Sequence, residues 1–209
     1  MTHTRALLIR HAEPDEAARG RCYGRLDVGL SVAGLESAAV LAERLRAIEL
    51  VAVYTSPRLR AVETAAAICS ARTLHPVRDD ALRELDFGDL EGRTYEEIER
   101  EQPEFFRRWM TSPTEVRFPG GESYGELRAR TSSALDALRA AHVGQTIAVV
   151  SHGGVVRAAL ASLLRLPDER AFALDLGYAR ISVVDWFDRT PVVRLMNSTS
   201  ADVPVRVGA

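Results

Sequence analysis

Three short stretches carry residues able to bind an oxyanion and attack it: Arg10-His11, Ser56 with Arg58 and Arg60 just beyond, and Ser151-His152. A fourth stretch, Arg83-Glu84, adds a carboxyl group. Arginine forks match phosphate oxygens bidentately, so phosphate is the anion suggested. A neutral imidazole beside two guanidiniums suits a nucleophile, because nearby positive charge disfavours imidazolium and keeps a lone pair available near neutrality. Attack on a phosphate monoester would give a phosphohistidine, which water then hydrolyses. The arginines and the second histidine would neutralise charge on the equatorial oxygens. A carboxylic acid is still needed to protonate the departing alkoxide and then activate water, and Glu84 is the leading candidate. Taken singly, Arg10 could cap a strand, His11 could be a satisfied interior histidine, and Glu84 could pair with Arg83. The coincidence of all four is harder to explain by packing.

These residues need a scaffold that gathers them. Ala6–Ile9 is an apolar run that ends in Arg10-His11 and a turn at Pro14, the pattern of a buried parallel strand. In open α/β sheets ligands sit outside the carboxyl ends of such strands. Residues 12–30, with Gly20, Gly24 and Gly29, read as a functional loop. Ser31 caps a helix with apolar positions from Leu35 to Ile48. Leu50–Tyr54 is the next buried strand, and Ser56-Pro57 reads as the N-cap and first position of a helix running through Ala65 and Ile68. Val77–Leu82 is a weaker strand closing on Arg83-Glu84. Capping-box spacing at Thr94 and Ser123 opens helices over 94–101 and 123–141, with a shorter one from Pro103. Thr146–Val150 is a strand that runs into Ser151-His152-Gly153-Gly154 and a helix. Ile181–Trp186 and Val192–Met196 form a hairpin at the sheet's edge, and the last dozen residues are expected to fray. In a parallel sheet the strand ends share one edge. Two of them run straight into helices, whose free N–H groups favour an anion. The expected fold is therefore α/β, a three-layer αβα sandwich with a mostly parallel central sheet and an antiparallel edge strand.

The bulk properties exclude other classes. A chain of 209 residues, 46% hydrophobic and 27% charged, suits one ordinary globular domain spanning 1–209. A formal charge of −2 argues against nucleic acid or a membrane surface as the main partner. Only Cys22 and Cys69 are present, so no disulfide framework is implied, and the expected location is cytoplasmic. The N-terminal apolar run is too short for a signal peptide, and no run approaches the roughly 18 residues that span a bilayer. No H-E-x-x-H or C-x-x-C pattern occurs, so neither a metal nor another cofactor is expected. A homodimer is left open. His3, His75 and His142 read as surface residues, Cys22 as a small buried one, and Phe105, Phe106 and Trp109 as a cluster closing one side of the pocket.

The motifs resemble those of the histidine phosphatase, or phosphoglycerate mutase-like, superfamily. Leu8-Ile9-Arg10-His11-Ala12-Glu13 resembles its Arg-His-Gly signature, which implies that His11 is phosphorylated and Arg10 is a phosphate ligand. Ser56–Ala65 resembles its Ser-x-x-x-Arg-Ala-x-x-Thr segment, which selects Arg60 rather than Arg58 as the second phosphate arginine and leaves Arg58 more peripheral. Arg83–Gly88 resembles the acid-bearing motif and supports Glu84 as proton donor. Ser151–Gly154 resembles the second histidine motif, with His152 catalytic and Gly153 beside the substrate. The loop Arg21-Cys22-Tyr23-Gly24 implies substrate contacts from Arg21, Tyr23 and Gly24. Ala12 departs from the motif's glycine, so a Cβ must fit where the backbone nears phosphate.

Within the superfamily, mutases carry a longer insertion than residues 85–151, which favours a phosphatase. Gly20–Val28, Asp86–Gly92 and Phe118–Ser123 resemble the α-ribazole phosphatases of cobalamin assembly, which implies α-ribazole 5′-phosphate as substrate. General sugar-phosphate and phosphoglycerate phosphatases share much of this signature. A phosphoglycerate mutase and a non-catalytic phospholigand-binding regulator are the alternatives.

Overall fold

The computed structural model describes residues 3–202. Six strands form one sheet: β1 (Thr4–Arg10), β2 (Ala52–Thr55), β3 (Pro76–Arg78), β4 (Thr146–Ser151), β5 (Ile181–Phe187) and β6 (Thr190–Ser198), in the order β3-β2-β4-β1-β5-β6. Neighbours among β3, β2, β4 and β1 pair in parallel. Strand β5 runs antiparallel to both β1 and β6, so the reversed strand lies one place in from the edge and β6 is the edge itself. Pro191 lies on that edge strand, where a missing N–H disturbs the ladder least.

Alternation along β1 builds the layers. Leu7 and Ile9 face one side and pack with Leu41 and Leu45 of α1 (Val32–Leu45) and Ala61 and Ile68 of α2 (Leu59–Cys69). Ala6 and Leu8 face the other, against Leu135 and Leu138 of α5 (Tyr124–Ala141) and Val156 and Leu160 of α6 (Gly153–Leu163). A strand buried on both faces reads as a continuous apolar run, as this one does. Two short helices, α3 (Tyr95–Glu101) and α4 (Pro103–Thr111), carry an aromatic cluster in which Trp109 packs on Phe118, Phe87 and Phe105.

The register brings the chemistry together. Arg10 at the end of β1 is level with Ser151 at the end of β4, and Thr55 of β2 is level with Val150. His11, Ser56 and His152 therefore leave the sheet side by side.

Four expectations are corrected. Helix α2 begins at Leu59, not at Ser56-Pro57: Arg58 occupies the cap position, Asp27 accepts from the Leu59 N–H (2.7 Å), and the Ser56 hydroxyl is taken elsewhere. The strand expected over 77–82 stops at Arg78, because the Asp79 carboxylate accepts from Ala81 N–H (2.8 Å) and winds residues 80–82 into a 3₁₀ turn. His142 is half-buried, bonded to the Tyr54 hydroxyl at 2.8 Å. Of the segment expected to fray, Ser198 ends β6 and Ala201 is buried in the core, while residues 203–209 lie outside the described residues. No helix among the described residues is long and apolar enough to cross a membrane.

Candidate active site

His11 is pinned from both sides: its N–H donates to Ser151 O (2.8 Å) and its carbonyl accepts from Ala179 N–H (3.2 Å). The ring Nδ1–H donates to Ala12 O at 2.7 Å, which leaves the Nε2 lone pair free. His152 lies edge-on to it, with ring centroids 5.1 Å apart. The Ser56 hydroxyl contacts His152 Nε2 at 2.7 Å and accepts from Arg58 N–H (3.3 Å); when the hydroxyl donates its own proton to Nε2, Nδ1 of His152 is the N–H of the ring. Burial is the largest influence on both histidines and pushes both well below the ordinary imidazole pKa. Arg60 and Arg10 add to the effect on both, and the charge of Arg58 reaches His152. At neutral pH both rings are uncharged.

The arginines are held by carbonyls rather than carboxylates. Arg60, fully buried on the first turn of α2, donates to Leu26 O (2.9 Å) and Tyr23 O (2.7 Å), with its guanidinium 4.9 Å from the Tyr23 ring centre. These bonds shape the loop that follows β1. Arg10 donates to Leu176 O and lies 3.9 Å above the Tyr178 ring. Arg58, expected to be peripheral, also reaches inward, and its Nε is buried. Among the described residues six buried side-chain polar atoms lack a partner, and four of them belong to this cluster: Arg10 Nε, Arg58 Nε, Arg60 Nε and His152 Nδ1. Buried donors are almost always paired, so their concentration here marks a place built for an acceptor. The Ala12 Cβ does not intrude, because it packs against Leu30 and Ala38 while its N–H donates to Thr64 Oγ1 (3.0 Å).

Glu84 enters from the turn after β3. Its carboxylate accepts from Gly154 N–H (3.1 Å) at the start of α6 and from its own neighbour's Leu85 N–H (2.9 Å). The alternative pairing with Arg83 does not form, since Arg83 reaches Glu122 at 3.4 Å. A Cβ on Gly154 would lie 2.3 Å from Glu84 Oε1, so this glycine keeps open the space the carboxylate occupies.

The cleft that opens beside Arg10 and Glu84 has two lobes, of about 430 Å³ and about 220 Å³, both lined by Arg10, Arg21, Tyr23 and Tyr95, while His11, Arg60 and His152 are buried and line neither. Arg21 is steadied by Gly92 O (2.7 Å), and Tyr23 by the Tyr178 hydroxyl (3.1 Å). The smaller lobe adds Glu84, Gly153, Trp109, Arg157 and Phe172. Gly24 lines neither lobe, and a Cβ there would strike Leu85 O at 2.0 Å, so the close approach of that backbone requires a glycine. Gly153 lies against Arg10, where a Cβ would approach Nε to 3.3 Å. A larger cavity of about 610 Å³, lined by Arg5, Glu49, Gln145 and Asp202, holds none of this chemistry. Sequence reasoning missed Tyr178 and Arg157. Tyr178 sits in an irregular loop with no periodic signal, whereas Arg157 is one helical turn beyond Gly153 and could have been placed by spacing.

Two outcomes follow from this geometry. Because the folded pKa values of His11 and His152 lie below the ordinary 6.5, their stabilising contribution is present above pH 6.5 and is lost as pH falls through the folded values. Imidazole NMR should therefore find neither ring titrating near 6.5; midpoints at that value would contradict the burial argument. Gly154→Ala should leave the melting temperature nearly unchanged, since only a flexible carboxylate must move. Its kcat/KM on alkyl phosphates should nonetheless fall about tenfold or more, and an unimpaired rate would contradict the position given to Glu84.

The histidine phosphatase superfamily (branch 1) family model matches residues 6–199. Phosphoserine phosphatase 1 of Hydrogenobacter thermophilus is 35% identical over 193 residues, 92% of each chain. A bifunctional protein of Mycobacterium tuberculosis is 34% identical over 95% of this chain, which spans only 55% of that relative's length. The crystal structure of the α-ribazole phosphatase from Shigella flexneri superposes with a TM-score of 0.86 at 28% identity, covering 96% of this chain and 99% of that one. The chain belongs to the histidine phosphatase superfamily and is a phosphatase of its branch 1.

Proposed function

We propose a metal-independent phosphomonoesterase that works through a phosphohistidine on His11. The observation that carries this reading is the cluster of buried, unpartnered N–H donors beside a neutral His11 whose Nε2 is free. In this reading Nε2 attacks phosphorus in line. Arg10, Arg60 and His152 hold the equatorial oxygens, a task metal ions perform elsewhere. Glu84 gives its proton to the departing alkoxide oxygen, then takes one from the water that cleaves the N–P bond, which restores both groups. Arg21, Tyr23 and Gly153 face the leaving group.

For the substrate itself we propose α-ribazole 5′-phosphate, which would put the enzyme in cobalamin biosynthesis. The loop motifs, the likeness to the Shigella flexneri enzyme and the aromatic wall of Tyr95, Trp109, Phe87 and Phe172 support it, since such a wall can stack on a base. One observation favours a second reading: Arg157 lines the same lobe, partly desolvated, so that burial lowers its pKa against the opposing charge of Glu84, and with no carboxylate among the described residues paired to it its guanidinium suits a carboxylate-bearing substrate. The relative named phosphoserine phosphatase points the same way.

The first test is hydrolysis of p-nitrophenyl phosphate in EDTA. Wild type should turn over and form an acid-labile phosphoprotein. His11→Ala should lose at least about 10³-fold in rate with its fold intact, and retained activity would reject the nucleophile. The second test ranks phosphomonoesters by kcat/KM. α-Ribazole 5′-phosphate should exceed phosphoserine by about tenfold or more, one hydrogen-bonding or stacking interaction's worth; the reverse order would transfer the assignment to the carboxylate-bearing class.

A further inference from the structure

Glu84 sits on no helix or strand. The segment that carries it leaves β3 through the turn at 80–82 and continues irregularly to Gly88. A general acid needs placement within a few tenths of an ångström, and a bare loop does not supply it. The placement comes from α5. Arg130, in the second turn of that helix, donates to three carbonyls of the segment: Ala81 O (2.9 Å), Arg83 O (2.7 Å) and Glu84 O (3.0 Å). Its remaining donors form a bidentate pair with Glu122, Nε to Oε1 at 2.9 Å and a terminal nitrogen to Oε2 at 2.8 Å. Glu122 in turn accepts from Asp86 N–H (3.1 Å). The pair thus grips the main chain on both sides of Glu84.

Both side chains are only 15% exposed, which makes a merely superficial ion pair unlike this one. Burial alone would raise the Glu122 carboxyl, but the Arg130 bonds and charge, the Asp86 amide and Arg83 outweigh it and hold Glu122 ionised. Helix α5 is itself anchored by the Ser123–Glu126 capping box and by packing on α6, whose first turn supplies the Gly154 N–H to the same carboxylate. The backbone of Glu84 and the far end of its side chain are therefore referred to one rigid helix pair.

We propose that the Arg130–Glu122 pair is the positioning device for the Glu84 proton. Arg130 touches no substrate and acts through the main chain of residues 81–86. This rests on Glu84 being the general acid, and the experiment separates the two claims. The readout is kcat/KM for glycerol 2-phosphate, whose alkoxide must be protonated on leaving, against p-nitrophenyl phosphate, whose phenolate leaves without help. Glu84→Gln should lose about 10²-fold or more on the alkyl ester and far less on the aryl one. Arg130→Met should show the same selective loss, about tenfold or more, and should add nothing further when combined with Glu84→Gln. Equal losses on both esters, or losses that multiply in the double variant, would overturn the positioning role and leave Arg130 a structural residue. Equal losses for Glu84→Gln itself would instead remove the acid, and the positioning role with it. Should Arg130→Met fail to fold, Glu122→Gln, which keeps shape and loosens the grip, must show the same selective loss or the proposal falls.

Discussion

Guanidiniums held by carbonyls rather than by paired carboxylates govern this site. Arg60 is buried completely, yet its terminal nitrogens donate to the carbonyls of Tyr23 and Leu26, which satisfy hydrogen bonds without cancelling charge. Arg10 is held in the same manner by Leu176 O and the face of Tyr178. Two imidazoles placed in such a field, and out of water, stay neutral. A neutral ring is what a nucleophile requires, and uncancelled guanidiniums are what a phosphoryl dianion requires. One electrostatic arrangement meets both needs.

The fold supplies that arrangement by bringing strand ends level and by letting buried arginines organise loops. Parallel register puts His11, Ser56 and His152 in one row, and the short distances between them need no long-range adjustment. Arg60 then folds the 20–30 loop around itself, and Arg130 does the same for 81–86. Arg60 donates to the carbonyls of Leu26, Tyr23 and Gly24, and Arg130 to three carbonyls and a carboxylate, so each guanidinium ties several points of its loop together.

Most of the floor was legible in the sequence because its residues follow strands with strong apolar patterning: Arg10-His11 after Ala6–Ile9, and Ser151-His152 after Thr146–Val150. The capping boxes at Thr94 and Ser123 form as their spacing predicts, since that signal is local. What escaped is tertiary. Ser56 carries the local marks of an N-cap, but its hydroxyl is held by a histidine 96 residues away, and the helix starts three residues later. Gly24 reads as a substrate contact from its motif, and the approach of Leu85 O and Glu91 Oε1 to it, which also requires a glycine, has no signal in the sequence. Tyr178, stacked on Arg10, lies in a stretch whose conformation no periodicity encodes. The anchoring of the 81–86 segment was hidden for the same reason, because Arg130 and Glu122 look like ordinary charged residues near the start of an amphipathic helix.

The account stands on convergence: Arg10 Nε, Arg60 Nε and His152 Nδ1 must aim at one oxyanion in line with His11 Nε2. A crystal structure with orthovanadate, a mimic of the transferring phosphoryl group, tests this most directly. The account predicts vanadium bonded to His11 Nε2, with those three nitrogens at hydrogen-bond distance from its oxygens. Vanadate bound elsewhere in the cleft, or at this spot with no hydrogen bond from Arg60 or His152, would contradict it.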